Sequence, residues 1–432
     1  MTVSDTGDTP LHIAALAGQN EVVRELITRY KCPVDCRNKE NVTPLHIASY
    51  SGHLNVVRIL LSEFGADVSS RGRQNDSPVN FAALGGHTDV VYVLITEFGC
   101  SPHMRGFEGR TLLHQACNGG HLELVDKLVS EFECNPMAVS DTGDTPLHIA
   151  VLAGWKEVAR ELITKYGCPV DCKDKENETP LHNASYNGHL NIVRMLLSEF
   201  GADLNYRSKQ NNTALNVAAL GGHTDVVHAL ITEFGCSPQV RGFEGRKLVH
   251  QACYSGHLSL IDLLLSEFGL SLLSTDKHGN TPLHIASKYS QTNAVEKLLF
   301  ERDAPLYIRN KAGKSPVDVA ERSYIISLFK KYMIHNSSSV QVQYEMLQSH
   351  AKKKFSGEHT LTRIFVVGYP QAGKSSLIEA LKREGLFYSV FARAAQISEA
   401  DVPPHTAGII PCVFTSSQYG RVVFYDFAGD HE

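Results

Sequence analysis

A Thr-Pro-Leu-His-Ile-Ala string at residues 145–150 recurs along the chain at one fixed interval, and that interval restricts the fold more than any other feature. Thr9, Thr43, Ser77, Thr111, Thr145, Thr179, Thr213, Lys247, Thr281 and Ser315 open ten copies, each 34 residues after the last. A period of about 20–50 residues marks a repeat array. Each unit of such an array packs only on its neighbours, so 432 residues need no single large core.

Residues 145–178 show what one unit contains. Thr145 suits a helix N-cap, and Pro146 is tolerated at the first helical position. Leu147, Ile149, Ala150 and Ala153 form a short apolar stripe, which Gly154 ends as a C-cap glycine does. Val158, Leu162 and Ile163 then recur at helical spacing until Gly167. Residues 168–177 are polar and turn-rich. Each unit therefore reads as helix, turn, helix and projecting loop.

The unit resembles the ankyrin repeat. The match rests on Thr-Pro-Leu-His-x-Ala, on the Gly-His pairs at residues 52–53, 86–87, 120–121, 188–189, 222–223 and 256–257, and on second helices of Val-Val-x-x-Leu-Leu type. These repeats are one residue longer than the family's usual 33. The extra residue is expected at the end of the second helix, in strings such as Ser62-Glu63-Phe64-Gly65. A larger duplication lies on top: residues 3–136 align with 139–272 at an offset of 136, or four repeats. Repeat ten lacks the Gly-His turn and reads as a C-terminal cap, with Lys330 and Lys331 outward. No cap is visible at the front, and Met1 corresponds to the internal Met137, so the native start is expected upstream.

Composition narrows the function. With 41 Lys and Arg against 46 Asp and Glu, the net charge of −5 argues against general nucleic-acid binding. The Cys32/Cys36 pair recurs as Cys168/Cys172, Cys100 as Cys236 and Cys117 as Cys253. Thiols copied with the repeats, with no signal peptide ahead of them, fit a reduced, cytoplasmic protein. No apolar run reaches the roughly 18 residues of a membrane helix. Of the 21 histidines, 13 occupy Thr-Pro-Leu-His or Gly-His positions, where donor and acceptor nitrogens suit bracing between repeats. Asn80, Asn216 and Asp318 replace the first histidine in three repeats and are expected to serve the same role. The Cys-Pro-Val-Asp-Cys strings lack a second local ligand pair, which argues against zinc.

Protein partners are expected on the loop tips and the concave helix face. The distinctive tips are Arg71-Gly72-Arg73, Arg207-Ser208-Lys209 and the identical hexapeptides 105–110 and 241–246. Within the latter, Arg105, Phe107, Arg110, Arg241, Phe243 and Arg246 combine the residue types that dominate binding hot spots. The alternative is that each Phe folds back on its own repeat.

After residue 335 the chain changes character. Residues 336–360 read as a linker with a short helix over Gln341–Lys354. Leu361–Val367 has strand character, and Ser376–Arg383 is helical. Between them, Gly368-Tyr369-Pro370-Gln371-Ala372-Gly373-Lys374-Ser375 fits G-x-x-x-x-G-K-[ST] in the required strand–loop–helix setting. Glycine-rich backbone, here Gly368, Gln371, Ala372, Gly373 and Ser376, lets N–H groups close around phosphate oxygens, while Lys374 would reach the β and γ phosphates. Thr406 precedes a strand at Ile410–Thr415, and a second strand, Arg421–Tyr425, ends in Asp426-Phe427-Ala428-Gly429.

This segment resembles a Ras-like GTPase, and more closely the Roc domains fused to repeat arrays. The resemblance implies GTP and Mg²⁺, with Ser375, Thr406 and Asp426 around the metal and Gly429 sensing the γ-phosphate. Asp430 stands where Ras has its water-orienting Gln, so hydrolysis is not implied, and the family's guanine-reading motif is absent from residues 361–432, so guanine is not told from adenine here. The expected fold is therefore mainly α: an ankyrin solenoid of about ten repeats over 1–335, a linker over 336–360, and the first half of an α/β P-loop domain over 361–432. Two other readings stay open: a pure interaction scaffold with an inert P-loop remnant, and an ATP-binding STAND-type assembly protein.

Overall fold

The computed structural model describes residues 4–306 and 308–332, and the backbone of residues 409–416 and 420–427. Among the described residues, nine helix pairs follow one another, from Pro10–Leu16 with Asn20–Thr28 to Pro282–Lys288 with Thr292–Phe300. Helices this short are marginal in water by themselves, and their stability comes from packing. In repeat five, Leu147 and Ala150 of the first helix and Leu162 of the second are completely buried. They join one apolar cluster that runs the length of the array.

The first helix starts because Thr145 is extended, with φ −90° and ψ 165°. Its N–H donates to His148 Nδ1 at 3.2 Å, and its Oγ1 lies 2.9 Å from the same nitrogen. With Nδ1 accepting a backbone N–H, the ring proton sits on Nε2. From there it is donated to the carbonyl of Glu178 in the next repeat, at 3.2 Å. The same bridge joins His46 to Asp76, His114 to Asp144, His182 to Asn212 and His250 to Asn280. A second bridge points backwards: His53 Nε2 meets the Leu16 carbonyl at 2.9 Å, and His223 meets that of Tyr186 at 2.8 Å. Trp155 and Gln291 do the same from equivalent positions. The preceding glycine is required twice over. Gly52 has φ +73°, and a Cβ there would overlap the His87 ring.

The expectation that asparagine replaces histidine in full is corrected. Asn80 Oδ1 accepts from the Ser77 N–H at 3.1 Å and hydroxyl at 2.7 Å, which caps the helix. Its Nδ2 is buried without a partner among the described residues, as is that of Asn216. The amide is shorter than an imidazole and does not span to the next loop. Asp318 likewise caps its own turn, accepting from the Ser315 N–H and hydroxyl, with Arg309 at 3.6 Å.

The thirty-fourth residue is taken up where the sequence led us to expect. Second helices end in a wide turn, with Phe98 N–H on the Val93 carbonyl, Phe132 on Lys127 and Phe234 on Ala229, each at 3.3 Å. In repeat two this turn opens into a π-helix, Ile59–Glu63. One extra residue inserted in a helix produces such a bulge.

Outer faces of the second helices carry a row of ion pairs to the following repeat, including Arg58–Glu97 at 2.6 Å and Arg160–Glu199 at 2.9 Å. Repeat ten departs from the expected ten full units: residues 316–319 form only a turn. A helix over 323–332 then closes the array, burying Ile325, Leu328 and Phe329 and exposing Lys330 and Lys331.

Beyond the array, β1 (Ile409–Ser416) and β2 (Gly420–Phe427) pair antiparallel, with Val413 opposite Val423. The helices expected over 341–354 and 376–383 and the strand over 361–367 lie outside the described residues.

Burial holds the imidazoles of His46, His114 and His250 at about 4. Unfolding returns them to about 6.5, so between those values the unfolded chain binds more protons and stability rises with pH. Their contribution is complete above the unfolded value and is lost as pH falls toward 4. Urea unfolding followed by circular dichroism from pH 7 to pH 5 should therefore show a loss on the order of 1–2 kcal/mol per buried histidine. His114→Asn should flatten that slope.

Candidate protein-interaction surface

Each projecting loop is a tight turn stapled to the next. At residues 105–110, the Gly106 N–H donates to the Arg110 carbonyl at 2.9 Å, and Glu108 is left-handed at φ +50°. The identical hexapeptide at 241–246 repeats this geometry, with Gly242 on Arg246 at 2.9 Å and Glu244 at φ +54°. Arg105 Nη1 donates to its own Gly109 carbonyl at 2.7 Å and to that of Val139 one repeat on, at 2.8 Å. Arg241 Nη1 donates to Gly245 and Thr275, both at 2.8 Å.

Phe107 and Phe243 are anchored by their backbones. Phe107 N–H donates to Asp76 Oδ1 at 2.9 Å, and Phe243 N–H to Asn212 Oδ1 at 2.8 Å. Burial raises the pKa of Asp76. Arg110 lies over the Phe107 ring at 5.6 Å, and Arg246 over Phe243 at 5.4 Å. Each ring is thus backed by its own loop's arginine, which meets the fold-back alternative in part. Phe107 is half-buried, whereas Phe243 is 39% exposed.

The two arginines that end the hexapeptides differ. Arg246 is only 5% exposed, because Tyr254 and Tyr289 also enclose its guanidinium, at 5.1 and 5.7 Å. Asn118 and Ala153 hold those positions in the first copy, where Phe107 is the one ring among the described residues against Arg110. Of the six candidates, Arg105, Arg241 and Phe243 are exposed, Phe107 and Arg110 are half-buried, and Arg246 is inside. Sequence reasoning missed Asp76 and Asn212 as anchors. The signal was present, since each is the polar residue just before a cap. It also missed Tyr254 and Tyr289, which fall at different places in their repeats.

A separate exposed apolar set lies on the first helices, where Leu16, Tyr50, Leu152 and Tyr186 occupy one repeat position. Cys168 and Cys172 are free thiols pushed up to about 11 by burial. Among the described residues, no cluster of three His, Cys, Asp or Glu is placed to hold a metal ion. No helix among them is long and apolar enough to cross a membrane. The nucleotide candidates Gly368, Gln371, Ala372, Gly373, Lys374, Ser375, Ser376, Thr406 and Gly429 lie outside the described residues. Asp426 is in β2, where its backbone pairs with Ile410.

Family models described as ankyrin repeats in three copies match residues 1–72, 79–174 and 157–242, and a model of ankyrin repeats in many copies matches 264–320. Together they cover more than half of the chain. The chain belongs to the ankyrin repeat family. Among solved structures it is similar to the human ASB11 ankyrin repeat domain, at 28% identity and TM-score 0.45, over 53% of this chain and 100% of that one. No curated protein matches. The ankyrin array makes the chain a protein-interaction scaffold, with its loops and first helices offering the exposed side chains.

A Cβ on Gly106 would overlap Asp76 Oδ1, the acceptor for Phe107 N–H. Gly106→Ala should therefore displace the loop anchor and cost about 1–3 kcal/mol. Thermal melting would report the loss, and faster hydrogen exchange at the Phe107 amide would locate it.

Proposed function

We propose that this ankyrin scaffold is a cytoplasmic signalling protein that captures protein partners at its loop tips and binds GTP with Mg²⁺ through a Roc-like module over 361–432. The observation that carries the nucleotide half is an ordered set: the P-loop string 368–375, then Thr406, then Asp426-Phe427-Ala428-Gly429. The antiparallel pairing of β1 and β2 supports it, because Thr406 then precedes one strand and the Asp-x-x-Gly string closes the other.

The donor chemistry fits. Two hydroxyls, Ser375 and Thr406, and one carboxylate, Asp426, are hard oxygen ligands of the kind Mg²⁺ takes alongside phosphate and water. When bound, the ion would offset charge on the β and γ phosphates. Lys374 would add a point charge to the same oxygens, and the backbone N–H groups of Gly368, Gln371, Ala372, Gly373 and Ser376 would surround them. Loops that contact a γ-phosphate and its metal hold one arrangement with it and another without, which gives the scaffold a switch. Asp430 leaves nucleotide binding, rather than hydrolysis, as the proposed activity.

Equilibrium binding of a fluorescent GTP analogue tests this half. The wild-type chain should bind in a Mg²⁺-dependent manner and Lys374→Ala should lose at least about tenfold in affinity. Equal weak binding by both would leave the scaffold alone. For the array, Phe107→Ala combined with Phe243→Ala should keep its circular dichroism and melting profile while cross-linked partners fall several-fold. Collapse of the fold would instead assign both rings to the repeats.

A further inference from the structure

The loop arginines form two separate runs of one built feature. Arg37, Arg71 and Arg105 occur at consecutive repeats, and each Nη1 bonds its own loop carbonyl and the next loop's. The distances to the next loop are 2.9, 3.0 and 2.8 Å. Val139 then interrupts the series, in a loop that carries Asp141 and Asp144. Arg207 and Arg241 resume it, with next-loop distances of 2.9 and 2.8 Å. Lys173 stands where Arg37 does in the first run, and its ammonium lies over the Tyr206 ring at 4.1 Å instead.

One edge of each guanidinium is thus fixed to backbone. The other edge is not used: among the described residues, Nε and Nη2 of these five arginines make no hydrogen bond. Arg71 is half-exposed and the other four are exposed. An Nε–Nη2 edge matches a carboxylate with two parallel hydrogen bonds. Anchoring through Nη1 removes much of the side-chain entropy that a free surface arginine loses on binding. Packed helices stand about 8–10 Å apart, so neighbouring rungs share that spacing. In an extended polyproline II segment three residues make one turn and rise about 9 Å, so every third side chain returns to the same face at about that spacing.

We infer that the loop ridge is a receptor for an extended acidic segment with a carboxylate at every third residue, and that the array holds two such sites, one on Arg37, Arg71 and Arg105 and one on Lys173, Arg207 and Arg241. The inference rests on the reading that partners dock at the loop tips, and it names their chemistry. The first site is the stronger, because it has three forks where the second has two and an ammonium. A chain of net charge −5 does not attract polyanions in general, so recognition depends on the local register.

The probe is a fluorescent peptide of serine and glycine with Glu at every third position, titrated into the full chain and followed by anisotropy. Two peptides should bind per chain, and a peptide of the same composition with its glutamates clustered should bind about tenfold more weakly. Arg71→Lys with Arg105→Lys keeps the charge and removes the fork. It should abolish the tighter site and leave one peptide per chain. Because those arginines also staple loops, Val139→Arg supplies a second test. Val139 is 49% exposed, and an arginine there should bridge the gap and tighten binding several-fold. Equal binding of the clustered peptide, or no gain from Val139→Arg, would overturn the inference. So would tighter binding of oligothymidylate, which would make the ridge a nucleic-acid surface. If the peptide fails to bind while the Phe107/Phe243 variant still loses its cross-linked partners, loop-tip docking stands and the acidic segment alone falls.

Discussion

Most junctions of this array depend on an imidazole whose two nitrogens do different work. In repeat five, Nδ1 of His148 accepts from the N–H of Thr145 and so starts a helix, while Nε2 donates to the Glu178 carbonyl and so fixes the next loop. One ring therefore satisfies an orphan helix-terminal donor and an otherwise unpaired loop acceptor. Helices of seven residues gain order from this junction that their own length does not provide. It works only for the neutral ring, since a proton on Nδ1 would face the donor it now accepts from. Burial enforces that state and makes the same junction sensitive to acid.

Most loops inherit their positions from the histidine braces, each of which holds a carbonyl 30 residues ahead. The tips at 105–110 and 241–246, which Asn80 and Asn216 do not reach, are placed instead by the Phe107 and Phe243 N–H groups on Asp76 and Asn212. With the tips in line, a guanidinium from one reaches the backbone of the next. Arg105 was singled out in the sequence as a binding residue, and its first role is structural. The two roles are compatible because a guanidinium has two edges. Fixing one in the ladder aims the other, which a flexible lysine in the same place would not do.

The helix pairs, their caps, the site of the extra residue and the terminal helix were legible in the sequence, since each follows from a residue type at a fixed interval. The strands over 409–416 and 420–427 were legible for the same reason, as β-branched runs around a turn. Contacts between non-equivalent positions were not. Asn80 looked like a substitute for histidine because both are polar. Only the distance to the next loop shows that an amide falls short, leaving Nδ2 buried and unpaired. The reduction of the first segment of repeat ten to a turn at 316–319 was hidden in the same way, because Ser315-Pro316 still reads as a cap.

The hexapeptides 105–110 and 241–246 carry the point furthest. Their sequences are identical, and they make the same turn and the same staples. Yet Arg246 is inside and Phe243 is outside, while Arg110 and Phe107 are both half-buried. The difference comes from Tyr254 and Tyr289, which lie in the two following first-helix segments and meet edge to face at 4.4 Å. Their rings close over the Arg246 guanidinium, which stays in contact with Phe243 while that ring projects. Identical local sequence thus fixes how a loop is built, and the neighbouring repeats decide what it displays. Duplication of four repeats left two copies of the frame, and two tyrosines give the second copy a different face.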